Sequence, residues 1–281
     1  MWLVIYCARR DDHALDGSET PLSKVKGMTL DRLAAKVADP YERQARLYPA
    51  LLALLPSLAM TVLLYGPKAS ALTSGVTIAV SCGFLFLLTN LCRESGKRLE
   101  GKLFQEWGGK PTTQLLRHRD HTIEGVTKRR YHLFLAAKIN VAFPDELQEQ
   151  KDMDGADDIY QSGVRWLLNH TRPEDSNKFD LLFKENVTYG FRRNALGMKP
   201  VGLIVSIGSL LWTLGREDVL FSSGGKFIDV AALGRVPEAT TVSLIVSALM
   251  ALAWTFFFTK ASVRTAAFTY AESLLRACDT L

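Results

Sequence analysis

Four stretches of this sequence contain no aspartate, glutamate, lysine or arginine: Leu47–Tyr65, Ala69–Cys92, Pro200–Gly215 and Ala239–Thr259. Charged residues make up 22% of the chain. At that density a 21-residue window holds roughly four or five of them, and each would cost about 2.5–3.5 kcal/mol at mid-bilayer. The absence of charge over such lengths excludes an ordinary water-facing helix and predicts four transmembrane helices, each needing about 20 residues to cross the hydrocarbon. The third window is short. It reaches spanning length by starting near Leu196 with Lys199 snorkelling back to the interface; a re-entrant element is the alternative.

Other absences narrow the chemistry. No predicted span carries an acid, a base or a histidine at its centre, and proton relays, gating charges and ion-coupled transport use such groups. A pump or secondary transporter is thereby disfavoured. Only four cysteines are present, with Cys82 and Cys92 in one span and Cys7 and Cys278 near the ends, so no disulfide framework is expected. The opening MWLVIYCARR has too short an apolar run and no preceding positive charge for a signal peptide; it packs as a short element, or the natural start is Met28. Internal repeats and low-complexity tracts are missing. So is a catalytic constellation. GGKPT (Gly108–Thr112) resembles a phosphate loop, but Phe104 stands where its first glycine belongs and Pro111 follows the lysine. His118, His121 and His132 with Asp120 match no standard ligand spacing and read as surface residues. Neither an enzyme nor a metal or cofactor site is expected.

What is present orients the chain. Eight Lys/Arg precede the first span, nineteen lie between Arg93 and Lys199, and Lys260, Arg264 and Arg276 follow the fourth. The opposite loops hold only Lys68, Arg216, Lys226 and Arg235. The positive-inside rule then places both termini and the long insert in the cytoplasm. The expected fold is an all-α membrane protein with four transmembrane helices and a mostly helical cytoplasmic domain inserted between helices two and three. Its divisions are a cytoplasmic segment (1–46), a hairpin of spans one and two (47–92), the helical sensing domain (93–199), spans three and four (200–259) and a cytoplasmic tail (260–281). A short helix runs over 29–46, broken at Pro40. Pro56 should kink span one, and Tyr65-Gly66-Pro67-Lys68 reads as the hairpin turn. Leu99, Leu103 and Trp107 recur every fourth residue, so span two continues as a helix until Gly108-Gly109 and Pro111 stop it. Further helices are expected at about 112–119, 122–139, 156–170 and 178–196, with DMDGADD (Asp152–Asp158) as a solvated loop.

Small polar residues line one face of three spans. Ser70, Ser74, Thr77 and Ser81 do so in span two; Gly202, Ser206, Ser209 and Thr213 in span three; Ser243 and Ser247 with Thr255 and Thr259 in span four. Such stripes serve tight helix packing or, with several copies around an axis, line a pore. Span two is the first choice for a lining because it continues into the cytoplasmic domain. Basic and aromatic residues cluster at YGFRRN, where Tyr189, Arg192, Arg193 and Asn186 share a helical face, and at Lys128-Arg129-Arg130-Tyr131, followed by His132. Arg117, His118 and Arg119 form a third cluster. A ring beside guanidinium groups can stack a base and hold its phosphates; the same residues also suit a cytoplasmic face beside acidic membrane lipid.

Over about residues 40–205, the segments RLYPALLALLPSLA, ESGKRLEGKLFQEWGGKPTTQLLRHRD, VRWLLNHT and ENVTYGFRRNALGMKP resemble the transmembrane effectors of Hailong anti-phage systems. The resemblance implies a homotetrameric channel of the bacterial inner membrane. Single-stranded oligodeoxyadenylate, made by a partner nucleotidyltransferase, would hold it shut, and loss of that oligomer during infection would open the pore and depolarise the cell. It raises Tyr189, Arg192, Arg193 and Lys128–Tyr131 as oligonucleotide contacts. Gating by a cyclic oligonucleotide that opens the pore, and a non-conducting membrane-anchored interaction protein, are the alternatives.

Overall fold

A π-helical segment, Glu42–Leu47, runs without a break into the helix α1 (Tyr48–Ala69). Then come α2 (Gly75–Glu106), α3 (Pro111–Leu116), α4 (Gly125–Ile139), α5 (Glu146–Lys151) and α6 (Met153–His170). They are followed by α7 (Asp180–Arg216), α8 (Val230–Leu233), α9 (Glu238–Phe256) and α10 (Lys260–Arg276). The computed structural model describes residues 39–69, 75–171, 177–220 and 227–281. Two compact units divide the chain, Met1–Asp39 and Pro40–Leu281, and all these elements belong to the second. MWLVIYCARR and most of the expected 29–46 helix lie outside the described residues. No strand occurs among the described residues, where Leu220 and Ile228 form an isolated antiparallel bridge.

Local chemistry sets the boundaries. After α2 the chain turns at Gly108 (φ 82°) and Gly109 (φ 130°), angles that glycine adopts without a Cβ clash. Pro111 then opens α3, where its missing N–H is harmless. Asp145 and Gln148 form a reciprocal capping box on α5. Thr259 accepts from the Ser262 N–H at 3.2 Å and starts α10.

The 37-residue α7 is the pillar of the fold, about 55 Å long at the usual rise per residue. Three cores follow along it. Near its start Leu182 joins Leu115, Leu135, Tyr160, Leu167 and Leu274 from α3, α4, α6 and α10. In its middle Tyr189 meets Leu103 of α2 and Val263, Ala266 and Ala267 of α10. Further on Ala195 and Met198 pack with Ala50 and Ala53 of α1, Leu88 and Cys92 of α2, and Trp254 of α9.

Among the described residues, three helices are long and apolar enough to cross a membrane: Glu42–Gly66, Asp180–Arg216 and Glu238–Phe256. Their side chains are arranged inside out relative to a water-soluble bundle. Ile204, Trp212, Leu249 and Phe256 point outward, whereas Ser206, Ser209, Thr213, Ser243 and Ser247 are buried. Large apolar side chains outside and small hydroxyls inside suit a lipid exterior, and these helices mark the chain as a membrane protein. The α7 stripe and the Ser243–Ser247 half of the α9 stripe thus face the interior of this chain's own bundle, whereas Thr255 is exposed and Thr259 half-buried. Ser206 donates to the Gly202 carbonyl at 2.6 Å and Thr213 to that of Ser209 at 2.8 Å, the usual refuge of a hydroxyl without water.

Several local expectations are corrected. Tyr65–Lys68 is not the hairpin turn: α1 runs through it to Ala69, since the fixed φ of Pro67 is itself helical and the loss is one hydrogen bond. DMDGADD is not a loop. The Asp152 carboxylate caps the Gly155 N–H at 2.9 Å, and Asp154 sits in the first turn of α6, where the helix dipole favours a negative charge. Lys199, half-buried, bonds the Thr255 and Phe258 carbonyls at 2.9 and 3.2 Å, at the C-terminal end of α9. Helix α5 was not expected at all.

Candidate functional site at the helix junction

The chain YGFRRNALG forms the middle of α7, and nearly every residue in it meets a different helix. Tyr189 donates its hydroxyl to Glu100 Oε1 of α2 at 2.6 Å, and the Arg193 Nη1 donates to the same oxygen at 2.7 Å. The guanidinium lies 5.5 Å from the Tyr189 ring centroid. Arg193 Nε and Nη2 each reach the Asn194 Oδ1 at 3.2 Å. Asn194, fully buried, then donates from Nδ2 to the Ala45 carbonyl at 2.7 Å. That carbonyl belongs to the π-helical segment at the head of α1, and π turns leave carbonyls available to outside donors and recur at functional sites. One connected network therefore ties α1, α2 and α7 together where their apolar portions begin.

Close backbone approach makes this possible. A Cβ on Gly197 would stand 2.7 Å from the Gly96 nitrogen and 2.8 Å from the Ser95 carbonyl carbon, so α2 and α7 cross here nearly backbone to backbone. Gly190 likewise faces the Ala45 methyl and the Tyr41 ring. Phe191 joins the core around Trp254 and Phe258. Arg192 turns to α10 and donates to the Ser262 carbonyl at 3.2 Å.

The residues singled out from sequence are thus distributed. Tyr189 and Arg193 converge on Glu100; Arg192 sits half-buried beside α10 and Asn186 is half-buried one turn before Tyr189. The second cluster lies on α4 and divides by helical face. Lys128 is 5% exposed and bonds the Arg117 carbonyl at 2.7 Å and that of Asp120, closing the turn after α3. Burial lowers its pKa, opposed by Asp120 and Glu149. Arg129 is exposed, and Arg130 pairs with Asp279 at 2.8 Å. The buried Tyr131 hydroxyl reaches the same carboxylate at 3.1 Å, and its pKa is pushed up to about 12 by burial and then by Asp279. Ser70 and Ser74 of the proposed lining lie outside the described residues, as do the side chains of Thr77 and Ser81.

The histidines are not all on the surface. His132 is 7% exposed, stacks on Tyr160 and bonds the Leu116 carbonyl at 2.7 Å; His118 lies edge-on to it and reaches the Pro144 carbonyl at 2.9 Å. Only His121 of the three is exposed. Arg117, too, is buried, forking onto both oxygens of Asp157 at 2.8 and 2.5 Å. These groups hold α3, α4 and α6 together. Burial draws the His132 pKa down to about 4 from 6.5, opposed by the Leu116 carbonyl. As the pH falls below about 6.5 the unfolded chain takes up this proton first. The stability from a neutral His132 is therefore complete above that pH and is lost as the pH falls toward 4. The difference amounts to about 3 kcal/mol. Thermal melts in detergent should show this loss between pH 6.5 and 4, and His132→Gln should flatten it; an equal acid loss in both proteins would refute the assignment.

Glu100 and Asn194 had no signal of their own in the sequence. Helical spacing shows which residues share a face, not which face turns inward. The sequence matches no protein-family model and no curated protein, and the fold matches no solved structure.

Proposed function

We propose that this chain is a ligand-gated, multi-subunit membrane channel whose cytoplasmic helices control its membrane helices, acting as an anti-phage effector held closed by single-stranded oligodeoxyadenylate. The observation that carries the proposal is the network Tyr189–Glu100–Arg193–Asn194–Ala45. It joins three membrane-bound helices at the level where the cytoplasmic helices α3, α6 and α10 pack. A ligand shifts a two-state equilibrium only by its differential affinity for the states, and a junction linking three helices is where two such states differ. In this reading the fourth span is the first part of α2, whose residues 75–92 are helical and carry no charge. The phosphates fall to Arg129, Arg130 and Arg192, which are exposed or half-buried, because Lys128 and Arg193 are buried on internal partners and act by fixing shape. The subunits form a homotetramer, and the signal comes from a nucleotidyltransferase through its product.

One observation favours a second reading, a non-conducting membrane-anchored interaction protein: Ser206, Ser209, Thr213, Ser243 and Ser247 are buried within the chain instead of lining an open path. Planar-bilayer recording of the purified full chain separates the two. The channel reading expects currents in the absence of oligonucleotide that fall when short oligodeoxyadenylate is added. Silent bilayers under both conditions would sink it and leave the anchored protein standing.

A further inference from the structure

Between α2, α3, α6, α7 and α10 lies a cavity of about 230 Å³. An apolar protein cavity of about 150 Å³ holds benzene, so this one has room for an aromatic ring carrying a substituent. Phe104, Val164, Leu168, Ala267 and Leu274 supply most of its wall. Several of the polar groups on it have hydrogen-bond donors to spare. Its carboxylate, Glu100, is paired with Arg193, and one of its oxygens accepts from both Tyr189 and Arg193. Arg165 is exposed at the rim and pairs with no carboxylate among the described residues. Lys110 uses one of its three donors, on Gln161 at 2.8 Å. The Tyr270 ring lies parallel to Tyr189 with centroids 6.1 Å apart, and its hydroxyl has no hydrogen bond among the described residues. Thr113 is 1% exposed, and its Oγ1 is buried with no partner. Leaving a buried hydroxyl unpaired is costly, and Thr113 lines the cavity.

We infer that this cavity binds a small organic anion with a flat apolar body and one phosphate or carboxylate group. The body fills the apolar wall, and the acceptor oxygens take up Arg165, Lys110 and the unpaired hydroxyls of Tyr270 and Thr113. A cation would meet two positive side chains and a carboxylate whose charge is already paired with Arg193. A purely apolar molecule would leave the donors unmatched. The site is independent of conduction: it stands on the cavity alone, and its test reads binding, not current.

Isothermal titration of the purified full chain in detergent tests it with phenyl phosphate as the probe. Phenyl phosphate should bind at one site per chain, at least about tenfold more tightly than either inorganic phosphate or benzyl alcohol, because each supplies half of the recognition. Thr113→Val should weaken phenyl phosphate about fivefold without lowering the melting temperature of the unliganded protein, a combination that a merely structural threonine would not give. Arg165→Gln should weaken it by about tenfold, and Ala267→Phe, which fills the cavity, should abolish it. Phenyl phosphate binding no tighter than inorganic phosphate would overturn the inference. Unchanged affinity in both Thr113→Val and Arg165→Gln would do so as well, whether or not Ala267→Phe folds.

Discussion

Glu100→Gln lowers the stability of this protein by about 3 kcal/mol, although the new side chain has the same shape. One oxygen of Glu100 accepts from both Arg193 and Tyr189. Glutamine keeps a carbonyl for Tyr189 but removes the charge that faces a guanidinium only 9% exposed. Stranding one member of a buried pair costs about 3–5 kcal/mol, and the 25% exposure of Glu100 places this pair at the lower end, where water screens part of the charge. The damage is transmitted, because Arg193 also positions Asn194. The melting temperature in detergent should drop by roughly 6–10 °C. Adding Arg193→Met should restore part of the loss, since removing both charges leaves neither stranded. A drop of less than about 1 °C in Glu100→Gln would mean that the ion pair does not hold the junction.

The second large effect comes from the smallest side chain. Gly197→Val should prevent α2 and α7 from packing, at a cost of about 3 kcal/mol or more. Its Cβ would fall 2.7 and 2.8 Å from backbone atoms of Gly96 and Ser95, which have no rotamer with which to escape. Gly208, eleven positions further along the same helix, has nothing within 4 Å of its hypothetical Cβ. Gly208→Ala should therefore be neutral or slightly stabilising, by up to about 1 kcal/mol. Size-exclusion profiles and melts of the two variants, side by side, decide the matter. Equal behaviour would show that the close crossing is not required.

The architecture was legible in the sequence wherever a long-range property was written locally. Missing charge exposed the apolar helices, and Leu99, Leu103 and Trp107 carried α2 through to Gly108-Gly109. Partners outside a residue's own helical turn were not legible. Lys128 and Arg117 count as cations in any local window, yet one closes a turn with carbonyls and the other forks onto Asp157, forty residues away. His132 lost its surface character to Tyr160 and Phe143, which pack onto it from other segments. At the junction the helical face was recognised through Tyr189 and Arg193, and Asn186 was selected with it. The asparagine that bridges three helices is Asn194, on a side of α7 that only the packing of α1 and α2 turns inward.

The π-helical segment before α1 carries a mechanical consequence. A π turn stores one residue more than an α turn, so tightening Glu42–Leu47 into ordinary α geometry would twist all of α1 by about 100° about its axis. Leu55, Leu58 and Val62, now facing outward, would swing toward a neighbouring helix or subunit. Asn194, bonded to the Ala45 carbonyl, opposes that screw motion, and releasing it would let a change at the helix junction become rotation of α1.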